Sequence, residues 1–509
     1  MGDHISGNLS QAEAPLYRAV RRFLHKGAQP FHVPVHGRGA GAPWLREAGL
    51  KHFMRWDLTE LDPLDDLHLP QGAIKRAQEL TANLFKAKQS FFLVNGVTVG
   101  LLALFSAFVP RGGKVIITRL SHKAVLHGVI LTGACPVYLP IEKEPSTGFP
   151  LNVSPRSLEK ALQENPDCTL VLITSPSYWG VAADLSALRK ITGRYGVMLA
   201  VDEAHGTHFP FYPEKLPHSA AAEADLWLQS AHKSLGALTP GAFLHLGKGA
   251  RNAEIRFWLQ ALQTSSPSYP VMISLDLTRR QMALRGKKIF SRVWDWSLIA
   301  RGDLHRNGFP LLRTEKVTRA GFFLDPGRLT LLFPSGGGRQ FSALLAAKGC
   351  QPELETDGYI LLIGGSSQLA YPPGNLIKAL KESRCAFNHI DKKAGSPLKE
   401  VFPPAFFTDP VANCQGSSGK DFATFLLSPG EAINAPRVSL LSEKAVGEIC
   451  GEMVIVSPPG LPLLSPGEII TEETLHFLLR KRASGILFQG ANDPTLKRIT
   501  IVRNPQTMV

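Results

Sequence analysis

Val197-Met198-Leu199-Ala200-Val201-Asp202-Glu203-Ala204-His205-Gly206 places a short apolar run directly before two carboxylates and a histidine. The run reads as a buried strand, and the acids belong to the loop that leaves it. About 30 residues further on, Gln229-Ser230-Ala231-His232-Lys233-Ser234 closes a second apolar run, Leu226–Gln229, in the same way. Working outward, further strands are predicted over Ser90–Val94, Lys114–Thr118, Pro136–Leu139, Thr169–Thr174 and Ala242–His245. Helices are predicted between them, over Thr98–Phe108, Lys123–Leu131, Pro155–Gln163 and Leu185–Tyr195. Such alternation implies parallel strands joined by crossover helices, a doubly wound α/β sheet in which ligands gather at the carboxyl ends of the strands.

The outer segments read differently. The first 50 or so residues lack strand alternation and form an N-terminal arm. Beyond about residue 260 a long helical stretch, Val271–Ile299, leads into a second αβ set with Leu329–Phe333, Ser342–Lys348 and Tyr359–Ile363. Ser457–Gly467, rich in Pro and Gly, reads as an ordered loop. The expected division is an arm over 1–50, a large α/β domain over 51–300, a smaller αβ subdomain over 301–400 and a C-terminal domain over 401–509.

Composition narrows the class. A 44% hydrophobic and 19% charged chain of 509 residues is long enough for several cores and has the balance of a folded protein. The net charge of +14 is dispersed, and its short basic clusters lack interleaved aromatics, so nucleic acid is not the expected partner. The longest apolar run, Val97–Val109, is shorter than the roughly 20 residues a spanning helix needs, and no membrane association is expected. The six cysteines show no paired or metal-type spacing, and no metal site is expected. A reducing, cytoplasmic setting fits.

The two strand-end motifs have a common chemical use. A lysine amine can form an imine with an aldehyde cofactor, and a buried carboxylate can keep a pyridine ring nitrogen protonated so that the ring accepts electrons. The opposite charge of such a ring favours the ionised acid. The Asp-Glu-Ala-His string also occurs in helicase Walker B elements, but that use needs an upstream phosphate loop of the GxxxxGK[ST] type, which the sequence lacks. Asn95-Gly96-Val97-Thr98 follows a strand and opens a helix, where backbone N–H groups and the Thr98 hydroxyl can hold phosphate. After the next strand, Arg119-Leu120-Ser121-His122-Lys123 presents an imidazole at the same carboxyl edge.

The order and spacing of these pieces resemble the major group of ornithine/lysine/arginine decarboxylases, pyridoxal-phosphate enzymes of the aspartate-aminotransferase-like fold (fold type I). The resemblance includes Phe31-His32-Val33-Pro34-Val35-His36, Leu64-Asp65-Asp66-Leu67-His68, Ser90–Gly100, Thr174-Ser175-Pro176-Ser177-Tyr178, Val201–Phe209 and Ser230–Lys233. It continues through Thr264-Ser265-Ser266-Pro267-Ser268-Tyr269, Pro458-Pro459-Gly460-Leu461-Pro462 and Pro466-Gly467-Glu468. No receiver-like wing precedes the arm, so the likeness is to the shorter branch of the family.

The resemblance implies that Lys233 carries the imine, Asp202 pairs with the ring nitrogen and His122 stacks on the ring, with His205 beside its substituents. Gly96, Val97, Thr98, Ser230 and His232 then fall at the phosphate, and Thr264 reaches the phosphate of the neighbouring subunit's cofactor. A homodimer with shared active sites is implied, as is a place in polyamine biosynthesis. The expected activity is decarboxylation of arginine, lysine or ornithine, with arginine ahead because the wingless branch often has that substrate. Asp66 and Glu468 are the candidates for the distal cation of such a substrate, and each reads equally well as a helix cap or loop acceptor.

Some positions depart from the family pattern: Val35 and Gly37 in the arm, Val97 in the phosphate loop, Leu120 before the imidazole, Pro240 after the lysine and Val456-Ser457 before Pro458. They fall on supporting residues and on the substrate side. Transamination or aldol cleavage on the same scaffold, or a cofactor-binding homologue acting through protein contacts, are the alternative expectations.

Overall fold

The computed structural model of the chain describes residues 10–247, 252–334, 336–386, 406–407 and 427–503. The fold divides into two compact units. One draws on Met1–Ala103, Glu203–Glu214 and Ser219–Ser291, the other on Leu104–Asp202, Lys215–His218 and Arg292–Val509.

In the first unit, Ala242–Leu246 lies between Gln89–Leu93 and Leu226–Gln229 and runs antiparallel to both. The expected mainly parallel sheet holds for the strands of the second unit, and Ala242–Leu246 is the antiparallel exception. The link from Gln229 to Ala242 holds only the short helix Ala231–Ser234 and a turn, and Gln229 pairs with Phe243, so the chain re-enters the sheet at the end it left. The helix Gly96–Phe108 begins just after the Gln89–Leu93 strand. It packs so closely that a Cβ on Gly100 would collide with Leu228 Cδ2 and stand 2.8 Å from Leu93 Cδ1.

The N-terminal segment is docked in this unit, its anchor being a buried ion pair on the helix Tyr269–Arg306. Arg279 Nη2 meets Asp276 Oδ1 at 2.8 Å, and the second Asp276 oxygen accepts the Leu16 amide at 3.0 Å. Arg279 also donates to the Gln11 carbonyl at 2.8 Å.

In the second unit, Met198–Asp202, Cys168–Thr174, Lys114–Thr118 and Cys135–Leu139 lie side by side in parallel register. Their connecting helices carry local stop and start signals. Ser154 and Asp184 accept from backbone amides as N-caps of Pro155–Glu164 and Leu185–Tyr195.

A smaller antiparallel sheet of Arg328–Leu332, Tyr359–Ile363 and Leu354–Glu355 supports a separate core around Phe309, Phe341, Ile360 and Leu380. Toward the C-terminus, Val454–Val456 pairs with Leu461–Leu464, so part of the predicted loop Ser457–Gly467 is a hairpin strand. Prolines at 458, 459 and 462 masked that run of leucines.

Among the described residues, Cys168, Cys350, Cys385 and Cys450 are free. Among the described residues no helix is long and apolar enough to cross a membrane.

Candidate active site

Lys233 lies on the one-turn helix Ala231–Ser234, directly after the Leu226–Gln229 strand. Its Nζ is 3.0 Å from Nε2 of His205, a buried side chain on the loop that begins at Glu203. An amine in hydrogen-bond contact with an imidazole has a partner that can accept and return a proton at Nζ. Ser230 is buried one turn earlier, and its carbonyl accepts from the Thr207 hydroxyl at 3.2 Å, which ties the two loops together.

His232 holds its Nδ1 3.0 Å from the Gly241 carbonyl. A carbonyl can only accept, so Nδ1 carries the proton and Nε2 presents a lone pair in the neutral ring. Burial holds this ring's pKa below the ordinary histidine value. The Gly241 hydrogen bond opposes that shift, and the Lys233 charge adds to it.

The same unit carries the residues expected at a phosphate. Gly96, Val97 and Thr98 form the first turn of a 13-residue helix, whose free N–H groups and dipole favour an anion. Asn95 Oδ1 accepts the Thr264 amide at 3.2 Å, and the Thr264 carbonyl lies 2.9 Å from His68 Nε2. Asp66 receives the His68 amide at 2.7 Å. Its neighbour Asp65 collects the amides of Gln71, Gly72 and Ile74, and so acts as the cap of the helix Ala73–Leu84.

Behind these loops runs a buried polar chain. Glu203 accepts from the Ala220 amide at 2.7 Å, from Ser219 Oγ at 3.1 Å and from Gln229 Nε2 at 2.6 Å. Gln229 Oε1 in turn accepts from His245 Nε2 at 3.0 Å, and Ser90 Oγ lies 2.7 Å from His245 Nδ1. Burial drives the Glu203 carboxyl up to about 8, against the pull of its hydrogen bonds, and drives His245 down to about 3. Motif reading assigned no role to Gln229, His245 or Ser90. Their signal is there: Gln229 and His245 are each the one polar residue of an apolar strand, and Ser90 directly precedes the apolar run Phe91–Leu93.

In the second unit, Asp202 ends the Met198–Asp202 strand and is buried, and its carbonyl accepts the Ser175 amide at 3.1 Å. His122 caps the helix Lys123–Thr132, Nδ1 accepting from the Ala124 amide at 3.2 Å. That bond puts the proton of a neutral ring on Nε2. Glu468 is buried, with one carboxylate oxygen 2.5 Å from Arg119 Nη2 and the other accepting the Ser465 amide at 2.7 Å. The Arg119 guanidinium lies over the Tyr138 ring, 3.7 Å from its centroid. Burial raises the Tyr138 phenol to about 12.

Two buried hydroxyls adjoin the motifs without a hydrogen-bond partner among the described residues, Ser121 Oγ beside His122 and Ser234 Oγ beside Lys233. Buried hydroxyls ordinarily find partners, so these positions suit a polar guest. Each unit carries groups that fit pyridoxal phosphate: an amine with a proton-accepting neighbour and an anion-favouring helix start in the first, and a buried strand-end acid in the second.

Residues 14–329 match the Orn/Lys/Arg decarboxylase major domain. The chain belongs to that family, whose members are pyridoxal-phosphate-dependent carboxy-lyases. It is 30% identical over 508 residues to an arginine decarboxylase of Bacillus subtilis, covering 98% of this chain and 100% of the relative. It is 31% identical to an arginine decarboxylase of Bacillus anthracis, over 97% of this chain and 98% of the relative. The crystal structure of a Francisella novicida lysine decarboxylase superposes with a TM-score of 0.79 at 18% identity, over 96% of this chain and 81% of that one. That likeness establishes the fold as aspartate-aminotransferase-like.

Proposed function

We propose that the chain decarboxylates a basic amino acid, with arginine the first substrate to test. The observation that carries the proposal is the Lys233 amine held 3.0 Å from the His205 imidazole at a strand end, in a chain of this family. The named arginine decarboxylases of two Bacillus species, similar over nearly the full length, favour arginine.

Pyridoxal phosphate, when bound, supplies an aldehyde for amine exchange and a ring that accepts the electrons left by departing CO₂. Lys233 offers the amine that holds it, and His205 accepts or returns a proton at Nζ. Asp202 keeps a proton at the ring nitrogen, and its burial strengthens that interaction. His122 offers the face of its ring. Ser230, His232 and the turn Gly96, Val97, Thr98 bind the phosphate, with Thr264 reaching the phosphate in a neighbouring subunit. Asp66 and Glu468 are the carboxylates proposed for the substrate's distal cation.

We read the working form as a cytoplasmic homodimer that supplies amines to polyamine biosynthesis. Phe31, Val33, Val35 and Trp44 support the dimer, since these apolar residues are 93%, 61%, 88% and 64% exposed in the single chain.

The test is incubation with arginine, lysine and ornithine separately, measuring CO₂ and the matching amine. Arginine turnover is expected, lost together with covalent cofactor attachment in Lys233→Ala. No turnover of any of the three, or covalent attachment surviving in that variant, overturns the proposal.

A further inference from the structure

Gly460 closes the turn between the strands Val454–Val456 and Leu461–Leu464, with φ at +85° and its amide donating to the Val456 carbonyl at 2.9 Å. It sits directly against the imidazole of His122. A Cβ built on Gly460 would lie 3.0 Å from both Cδ2 and Nε2 of that ring, tighter than ordinary van der Waals contact. The same glycine's carbonyl accepts the Lys123 amide at 2.9 Å, so the turn grips the residue after His122 as well.

A second bond repeats the attachment one side chain further out. Lys123 Nζ donates to Gln489 Oε1 at 3.0 Å, and Gln489 exchanges backbone hydrogen bonds with Ile455 of the same hairpin. On the ring's other nitrogen, Nδ1 is occupied by the Ala124 amide. The imidazole is therefore fixed from its own helix at Nδ1 and bounded at its Nε2 edge by backbone that carries no side chain.

We infer that Gly460 is a positioning residue, and that the hairpin turn, through Gly460, sets where the His122 ring stands. This rests on the proposed role of His122 against the cofactor ring. The absence of a side chain at 460 is what leaves room for the imidazole, and the Lys123 bond keeps that room constant.

Gly447 provides the control. Its φ is +84°, nearly that of Gly460, and nothing lies within 4 Å of the point a Cβ would occupy, so Gly447→Ala carries the backbone strain without the contact. The variants Gly447→Ala, Gly460→Ala, His122→Ala and His122→Ala/Gly460→Ala are made in the full chain. Each is titrated with pyridoxal phosphate by visible absorbance and circular dichroism, and the cofactor-free proteins are melted.

Gly460→Ala is expected to weaken cofactor binding at least about tenfold and to alter the visible dichroism, while Gly447→Ala stays within about twofold of the parent. In the His122→Ala background, adding Gly460→Ala should lower Tm no more than Gly447→Ala lowers it in the parent. Cofactor binding in Gly460→Ala equal to that in Gly447→Ala overturns the inference. So does a Tm loss that persists undiminished once the ring is gone. If Gly460→Ala fails to fold, a folded double variant supports the inference and an unfolded one overturns it. Should His122→Ala alone keep the parent's affinity and spectrum, the ring-stacking role of His122 falls, and the melting comparison decides whether Gly460 positions the ring.

Discussion

Gln229 Nε2 donates to Glu203 Oε2 at 2.6 Å, joining the residue after Asp202 to the residue before Ser230. One buried hydrogen bond thus ties the loop that begins at Glu203 to the end of the strand that leads to the lysine. With Glu203 raised to about 8, its neutral form is favoured in the folded protein.

The sign of the pH effect follows. A carboxyl whose folded pKa lies above its unfolded value contributes stability that is complete below about 4.5 and is lost as pH rises through about 8. Glu203→Gln removes this titration. It can keep the Ala220 bond, and reversal of the Gln229 amide restores a complementary pair. The variant should lose less Tm than the parent between pH 5 and pH 8.5. Glu203→Ala strands the Ala220 and Gln229 donors and should cost about 2–4 kcal/mol by denaturant titration.

His245 acts at the other end of the scale. Its folded pKa of about 3 lies below the ordinary value of 6.5, so its contribution is complete above 6.5 and is lost as pH falls toward 3. His245→Gln keeps a donor for Gln229 without a titrating ring. Thermal melts from pH 7 to pH 4 should show a shallower decline for this variant, even if it starts lower.

Arg119 and Glu468 are both buried, so removing one leaves the other charge uncompensated. Glu468→Leu should cost about 3–5 kcal/mol in denaturant unfolding. Pairing it with Arg119→Met should recover most of that loss. A double variant no more stable than Glu468→Leu would contradict this account.

His232 presents a lone pair at Nε2 while Nδ1 donates to Gly241, and its pKa is lowered, by burial first. A phosphate oxygen at Nε2 requires a proton there. The contribution of His232 to cofactor affinity should therefore grow as pH falls below neutrality. His232→Asn can keep the Gly241 bond but lacks Nε2. The ratio of its cofactor Kd to the parent's, measured at pH 5.5 and pH 8, should be larger at pH 5.5.

Periodicity located the elements because apolar runs are a local property. Lys114–Thr118 and Leu226–Gln229 have the predicted bounds, and Gln89–Leu93 and Met198–Asp202 differ by one residue at each end. Strand direction is not a local property, so the antiparallel setting of Ala242–Leu246 was not legible. The placement of Lys233 and Asp202 at strand ends was readable because each motif follows its own strand. The partners of Glu203 and Glu468 were not, since Gln229, Ser219 and Arg119 reach them only once the chain has folded.

The Arg119–Glu468 pair has one more consequence. A guanidinium is already tethered beside that carboxylate, at an effective concentration no free metabolite matches. Any cationic guest that approaches Glu468 therefore enters an exchange with a resident rival, and selectivity there depends on how readily Arg119 yields, as much as on how well the guest fits.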